Sequence, residues 1–180
     1  MVKKTLIDKR SKKIIFVPFC VLCQAFQAEG IVKGEWSSSI GPIINLIMQR
    51  DINIIQMPCP ESSFNGYESG LGRKPAGLKY YDVEEYREHC KTIAKNVIEM
   101  IKGIKAQNYL IEAILGIEMS PSCAVSYIYS NKGMQKRKGV FFESLEQMCI
   151  EEKLDIPFVG INRKSTRKAM ENLERIFNQN

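Results

Sequence analysis

Four apolar runs alternate with amphipathic stretches along this chain, and that alternation constrains the fold more than any other feature. The runs are Ile14 to Pro18, Asn53 to Met57, Tyr109 to Ile117 and Ile156 to Ile161. Their β-branched content and lack of polar alternation predict strands buried on both faces. Between them, apolar residues recur at spacings of three and four. Ser37, Ser38 and Ser39 offer caps for a helix to about Arg50, with Pro42 tolerated in its first turn. Asp82 is placed to cap the strongest helix, with Glu85 completing a box-like start and Val83, Tyr86, Cys90, Ile93, Val97, Ile101 and Ile104 forming its apolar stripe. A third helix is predicted from about Val140 to Lys153, and a last one, capped by Ser165 or Thr166, presents Ala169, Leu173 and Phe177. Strand–helix alternation repeated four times predicts an α/β fold: a mainly parallel sheet, order 2-1-3-4, inside a three-layer, Rossmann-like sandwich. The stretches Phe19 to Glu35, Pro60 to Tyr80 and Ala124 to Gly139 read as loops.

At 180 residues the chain suits one α/β domain, residues 14–180, behind a basic N-terminal tail, residues 1–13. The tail carries Lys3, Lys4, Lys9, Arg10, Lys12 and Lys13 against Asp8, so it holds +5 of the formal net charge of +6. A basic tail on a nearly neutral body is a weak signal for nucleic-acid contact, and a solvated terminus explains it as well. No run approaches the roughly 20 apolar residues of a membrane helix. Asp8 interrupts the basic region and no clear small-residue cleavage site follows Ile14 to Ala25, so the segment is not read as an export signal. A reducing, cytoplasmic setting is expected. There, six cysteines point to metal binding, catalysis or core packing rather than disulfides.

Three of those cysteines stand just past predicted strands: Cys20 after the first, Cys59 after the second and Cys123 after the third. In the order 2-1-3-4 these strands are neighbours about 4.8 Å apart, and their C-terminal ends open at the topological switch point, where such sheets bind ligands. Three soft thiolates there can hold zinc or an iron–sulfur cluster. They can equally be small core residues. Cys90 and Cys149 fall on apolar helix stripes and read as core. Cys23 has three readings: fourth ligand, redox partner of Cys20, or packed residue. Glu61 follows Cys59-Pro60 and is close enough in sequence to act as a general acid or base. Ser120 and Ser122 flank Pro121 ahead of Cys123, where hydroxyls position a substrate or water, or serve the turn itself. Arg73, Lys74 and Pro75 either close a loop over a polar or anionic substrate or sit in a solvated loop. His89, the sole histidine, lies mid-helix and reads as a packing or surface residue, which leaves Ser-His-Asp and Cys-His hydrolysis without support.

Val17-Pro18-Phe19-Cys20-Val21-Leu22, Pro58-Cys59-Pro60-Glu61 and Ser120-Pro121-Ser122-Cys123, with Arg73-Lys74-Pro75-Ala76 and the Gly139-Val140-Phe141 helix opening, resemble the DUF523 family, that of the thiouracil desulfidases. The resemblance spans roughly residues 14–155. It implies a [4Fe-4S] cluster bound by Cys20, Cys59 and Cys123 with one iron open, and non-redox removal of sulfur from a thiolated nucleobase or related small thiocarbonyl compound. Glu61 would be the acid/base, and Ser120 or Ser122 the positioning groups. The chain departs from the family pattern at Cys23 and Ala124, where glycine is usual, and it lacks the Arg-Tyr-Asp-Gly stretch after the first cysteine. These departures imply a divergent, desulfidase-related branch. The contrasting expectation is a cluster- or metal-binding sensor or RNA-binding protein without catalysis, its basic tail contacting nucleic acid.

Overall fold

A central strand, β1 (Lys13–Pro18), organises the molecule in this computed structural model, which describes residues 9–33, 36–130 and 133–179. Ile15, Phe16 and Val17 are fully buried in β1. The short helix α1 (Phe19–Leu22) and a 3-10 turn (Gln24–Phe26) follow, then α2 (Gly41–Gln49) and β2 (Asn53–Met57). Three short helices come next: α3 (Pro60–Phe64), α4 (Tyr67–Leu71) and α5 (Leu78–Tyr81). The long helix α6 (Glu84–Ala106) leads to β3 (Leu110–Ile117). A hairpin, β4 (Tyr127–Ser130) and β5 (Gly133–Lys136), precedes α7 (Val140–Glu151), β6 (Phe158–Ile161) and α8 (Arg167–Phe177).

The main sheet is parallel with order β2-β1-β3-β6, the predicted 2-1-3-4 arrangement. Pro18 pairs with Met57, and Ile117 pairs with Ile161, so all four strands end toward one edge. Helices α6 and α7 pack together on one face, and α2 meets α8 on the other. One contiguous core joins the sheet to these helices, including Tyr86, Cys90 and Val97 of α6 and Phe141, Phe142 and Cys149 of α7.

Local details differ from the sequence expectations for identifiable reasons. Helix α2 starts at Gly41 and has no side-chain cap. The backbone before it is tied down instead, Ser38 O accepting from Gln24 N–H at 2.8 Å and Val21 O from Ile40 N–H at 2.8 Å. Asp82 does not cap α6, whose N-cap is Val83. Its carboxylate is drawn to the guanidinium groups of Arg87 and Arg137, and two cations outcompete a backbone N–H for it. Thr166 is the N-cap residue of α8 but makes no side-chain capping bond. The stretches read as loops are partly ordered, holding the 3-10 turn, α1, α3 to α5 and the hairpin. Of the basic tail, Lys3, Lys4 and Asp8 lie outside the described residues, as do Lys132 and Glu35 in the loops.

Candidate active site

The turn Ser120–Cys123 follows β3 and is fixed from three sides. Ser120 Oγ accepts hydrogen bonds from the backbone N–H groups of Ser122 at 3.2 Å and Cys123 at 3.0 Å. Pro121 and Ser122 carbonyls accept from the N–H groups of Val140, Phe141 and Phe142 at the start of α7, satisfying donors that a helix start leaves open. Two glycines admit this close approach. A Cβ at Gly139 would lie 2.3 Å from the Ser122 carbonyl carbon, and one at Gly116 would lie 2.5 Å from Cys123 O. The Gly139 opening of α7 and the cysteine turn are thus one packed unit.

Ser122 does not face the opening. It is fully buried, its Oγ 2.7 Å from the Tyr86 hydroxyl of α6, and it is not among the cavity walls. The sequence reading that aimed both serines at one site is corrected here: the turn at Pro121 sends the two side chains different ways, and Tyr86 holds Ser122 on the core side. Ser120 is the serine that reaches the site.

Glu61 occupies the first turn of α3, directly after Cys59, the N-cap residue of that helix. Its Oε2 accepts from Arg73 Nε at 3.0 Å, and its Oε1 from Ser120 Oγ at 3.4 Å. The Glu61 and Arg73 side chains are 12% and 9% exposed, so the pair is largely withdrawn from water. Arg73 donates further to Ser62 Oγ at 3.0 Å, Gly70 O at 2.8 Å and Phe26 O at 2.8 Å. Burial works against its charge, but Glu61, through charge and hydrogen bond, together with Cys59 and Tyr81 lifts the guanidinium above its ordinary value. Arg73 is therefore the fastener that holds α3, α4 and the segment after β1 around Glu61. The reading of it as a solvated or substrate-closing loop residue gives way to that role.

Cys20, Cys59, Cys123, Glu61, Ser120 and Arg163 all line one cavity of about 390 Å³. Cys20 comes from α1, Cys59 from the end of β2 and Cys123 from the turn after β3, so the three strand ends meet as the topology predicts. The thiols lie within one another's fields. Burial pushes Cys20 up to about 12, and the charge of Cys59 adds to this while Arg163 opposes it. Burial, then Cys59 and Cys20, raise Cys123 well above the ordinary thiol value. Three thiolates here need a cationic centre to be tenable, and ligation to a metal releases their protons. Among the described residues no group of three His, Cys, Asp or Glu side chains is disposed to hold a metal ion. Cysteine thiolates are the donors that iron–sulfur groups take, and Cys20, Cys59 and Cys123 are the cysteines on the cavity wall.

The other cysteines stand apart from the cavity walls. All six are free thiols. Cys90 and Cys149 sit in the core on α6 and α7, where burial pushes them up to about 12 and about 11. Cys23 is half-buried and is not a wall residue. His89 packs against Phe64 and lies 2.8 Å from Ser63 Oγ, a packing residue as its mid-helix place predicts.

Polar wall residues that the sequence reading did not single out include Gln27, Tyr129 and Arg163. Arg163 lies two residues past β6, so the strand-end logic that found the cysteines reaches it when extended to the fourth strand. Gln27 and Tyr129 carry no comparable signal. No described helix is long and apolar enough to cross a membrane.

No family model matches the chain, and no solved structure matches it. It is similar to an uncharacterised protein of Methanocaldococcus jannaschii, with 28% identity over 169 residues that cover 93% of this chain and 99% of that protein.

Proposed function

We propose that this protein is an iron–sulfur-dependent, non-redox desulfidase of the DUF523 type, acting on a thiolated nucleobase or related small thiocarbonyl compound in the reducing cytoplasm. The observation that carries the reading is the convergence of Cys20, Cys59 and Cys123 on one cavity that also holds Glu61 and Ser120. The three thiolates would hold a [4Fe-4S] cluster, and when bound it supplies a thiophilic iron as sulfur acceptor.

The residues of the chain account for the rest of the chemistry. Glu61 is oriented by Arg73 and Ser120, so its carboxylate can take a proton from water as the water oxygen bonds to the thiocarbonyl carbon. The C=S π pair moves onto sulfur. Glu61 returns its proton to the sulfur; as the C–S bond breaks and C=O forms, Glu61 takes the second water proton from the oxygen and passes it to the departing hydrosulfide. The balance is C=S plus water giving C=O plus hydrogen sulfide, with no change in oxidation state. Apolar walls from Phe26, Ile31 and Ile117 limit competing water.

Anaerobic reconstitution with iron and sulfide tests the proposal. About four irons per chain and a broad visible absorption are expected, both lost in Cys20→Ala, Cys59→Ala or Cys123→Ala. Sulfide release from a thiocarbonyl substrate should follow and disappear in Glu61→Gln. Full iron loading in the triple cysteine variant refutes the ligand set. A stable cluster with no sulfide release from any thiocarbonyl favours the non-catalytic sensor reading.

A further inference from the structure

Polar side chains remain in the cavity once the mechanism has taken what it needs, and two of them are less exposed than Tyr129. The first is Gln27, whose Nε2 is buried and has no hydrogen-bond partner among the described residues, although the residue lines the cavity. A buried amide donor without an acceptor is destabilising and uncommon in folded proteins. The second is Arg163. Of the two cationic wall residues, Arg73 is committed to Glu61, Ser62 and two carbonyls, whereas the guanidinium of Arg163 has no hydrogen bond or ion pair among the described residues. Burial pulls it below the ordinary arginine value, with Cys20 and Glu61 acting in the opposite direction.

The backbone that presents Arg163 is held rigidly. Asn162 Oδ1 accepts from Lys164 N–H at 2.9 Å, and Asn162 O accepts from Ser165 N–H at 3.1 Å. This is an Asx-stabilised tight turn with Arg163 at its second position. The turn fixes the point from which the Arg163 side chain enters the cavity.

We propose that Gln27 and Arg163 form the substrate-reading pair of this cavity: the Gln27 amide turns its unpartnered Nε2 from the wall into the cavity and donates to a neutral acceptor of the bound thioamide-type ring, and Arg163 pairs with the negative charge the ring gains as water adds. This rests on the desulfidase reading. It separates the two residues by what each recognises. Gln27 acts on the bound ground state, and Arg163 on the addition anion.

Steady-state sulfide release from 4-thiouracil, with 4-thiouracil binding to the iron-free protein, tests the pair. Gln27→Leu should raise KM about 10-fold with kcat unchanged. It should leave the unfolding midpoint the same or higher, because an unsatisfied donor has been removed. A lower midpoint overturns the assignment of Gln27, since it would mark a structural role. Arg163→Gln should lower kcat about 100-fold with KM and iron content unchanged. Arg163→Lys should recover part of the loss, and added guanidinium should restore turnover to Arg163→Ala. Wild-type kinetics in Arg163→Gln overturns its assignment and leaves the desulfidase reading intact. In the iron-free protein, bound 4-thiouracil should ionise at lower pH in the wild type than in Arg163→Gln, as read from its absorbance. Equal ionisation overturns the role of Arg163. That readout needs no turnover, so a wild type that binds the ring yet releases no sulfide sinks the desulfidase reading separately.

Discussion

Arg73 offers the sharpest test of how the site is built. Its side chain is 9% exposed and donates to Glu61, Ser62 Oγ and the carbonyls of Gly70 and Phe26. Replacing it with Met keeps much of the stem volume and removes every donor. The Glu61 carboxylate, 12% exposed, then loses its ion-pair partner. Removing one partner of a buried ion pair costs about 3–5 kcal/mol. Unfolding midpoints of domains of this size move by about 2–4 °C per kcal/mol, so the expected fall is roughly 6–20 °C. Thermal and urea unfolding of the metal-free protein in reductant measure it, which keeps ligand linkage out of the comparison. A double-mutant cycle with Glu61→Gln apportions the effect, and an interaction energy of about 1–3 kcal/mol is expected for partners in direct contact. A cost below about 1 kcal/mol for Arg73→Met, or the same cost in the Glu61→Gln background, would refute the claim that this pair fastens the site.

Other consequences follow from particular contacts. Gly139→Ala places a Cβ against the Ser122 carbonyl and should destabilise by about 1–3 kcal/mol in urea unfolding, whereas Gly103→Ala, with open space around an exposed position in α6, should stabilise by about 0.5–1 kcal/mol. Tyr86→Phe leaves the buried Ser122 hydroxyl without its partner and should cost about 1–3 kcal/mol, while the double variant Tyr86→Phe/Ser122→Ala should recover much of that loss. For Asp82, burial favours the neutral acid, but hydrogen bonds from Arg137 and Arg87 outweigh it and hold the carboxyl below its ordinary value of 3.8. Its contribution is therefore complete above that value and lost as pH falls below it, so Asp82→Asn should flatten the acid limb of stability against pH and leave its slope near neutrality unchanged.

Much of the fold was legible because its signals are local and repeat. Buried parallel strands announce themselves as short β-branched runs, and the alternation with amphipathic stretches leaves few arrangements for four strands. The strand-end position of Cys20, Cys59 and Cys123 then follows from topology, since parallel strands finish at one edge. The short elements were not legible. Helices α3, α4 and α5 are four or five residues each, too short to establish a helical period. Of the four residues of β4, only Ile128 is buried, and a four-residue strand is too short for its alternation to stand out in the sequence. Capping by Asp82 looked sound locally and failed because Arg137, 55 residues away, competes for its carboxylate.

What the sequence determined alone is the sheet, its order and the edge on which three thiols and Glu61 lie. Which side chains share the cavity was decided by tertiary structure. Ser120 and Ser122 are two residues apart in one turn, yet one bonds Glu61 and the other Tyr86. Arg73 and Arg163 carry the same charge into one cavity, yet one donates four hydrogen bonds and the other none among the described residues. Periodicity and turn chemistry depend on neighbours in the chain and so can be read along it. The direction of a side chain and the commitment of its donors depend on neighbours in space, and those exist only once the strands and helices have packed.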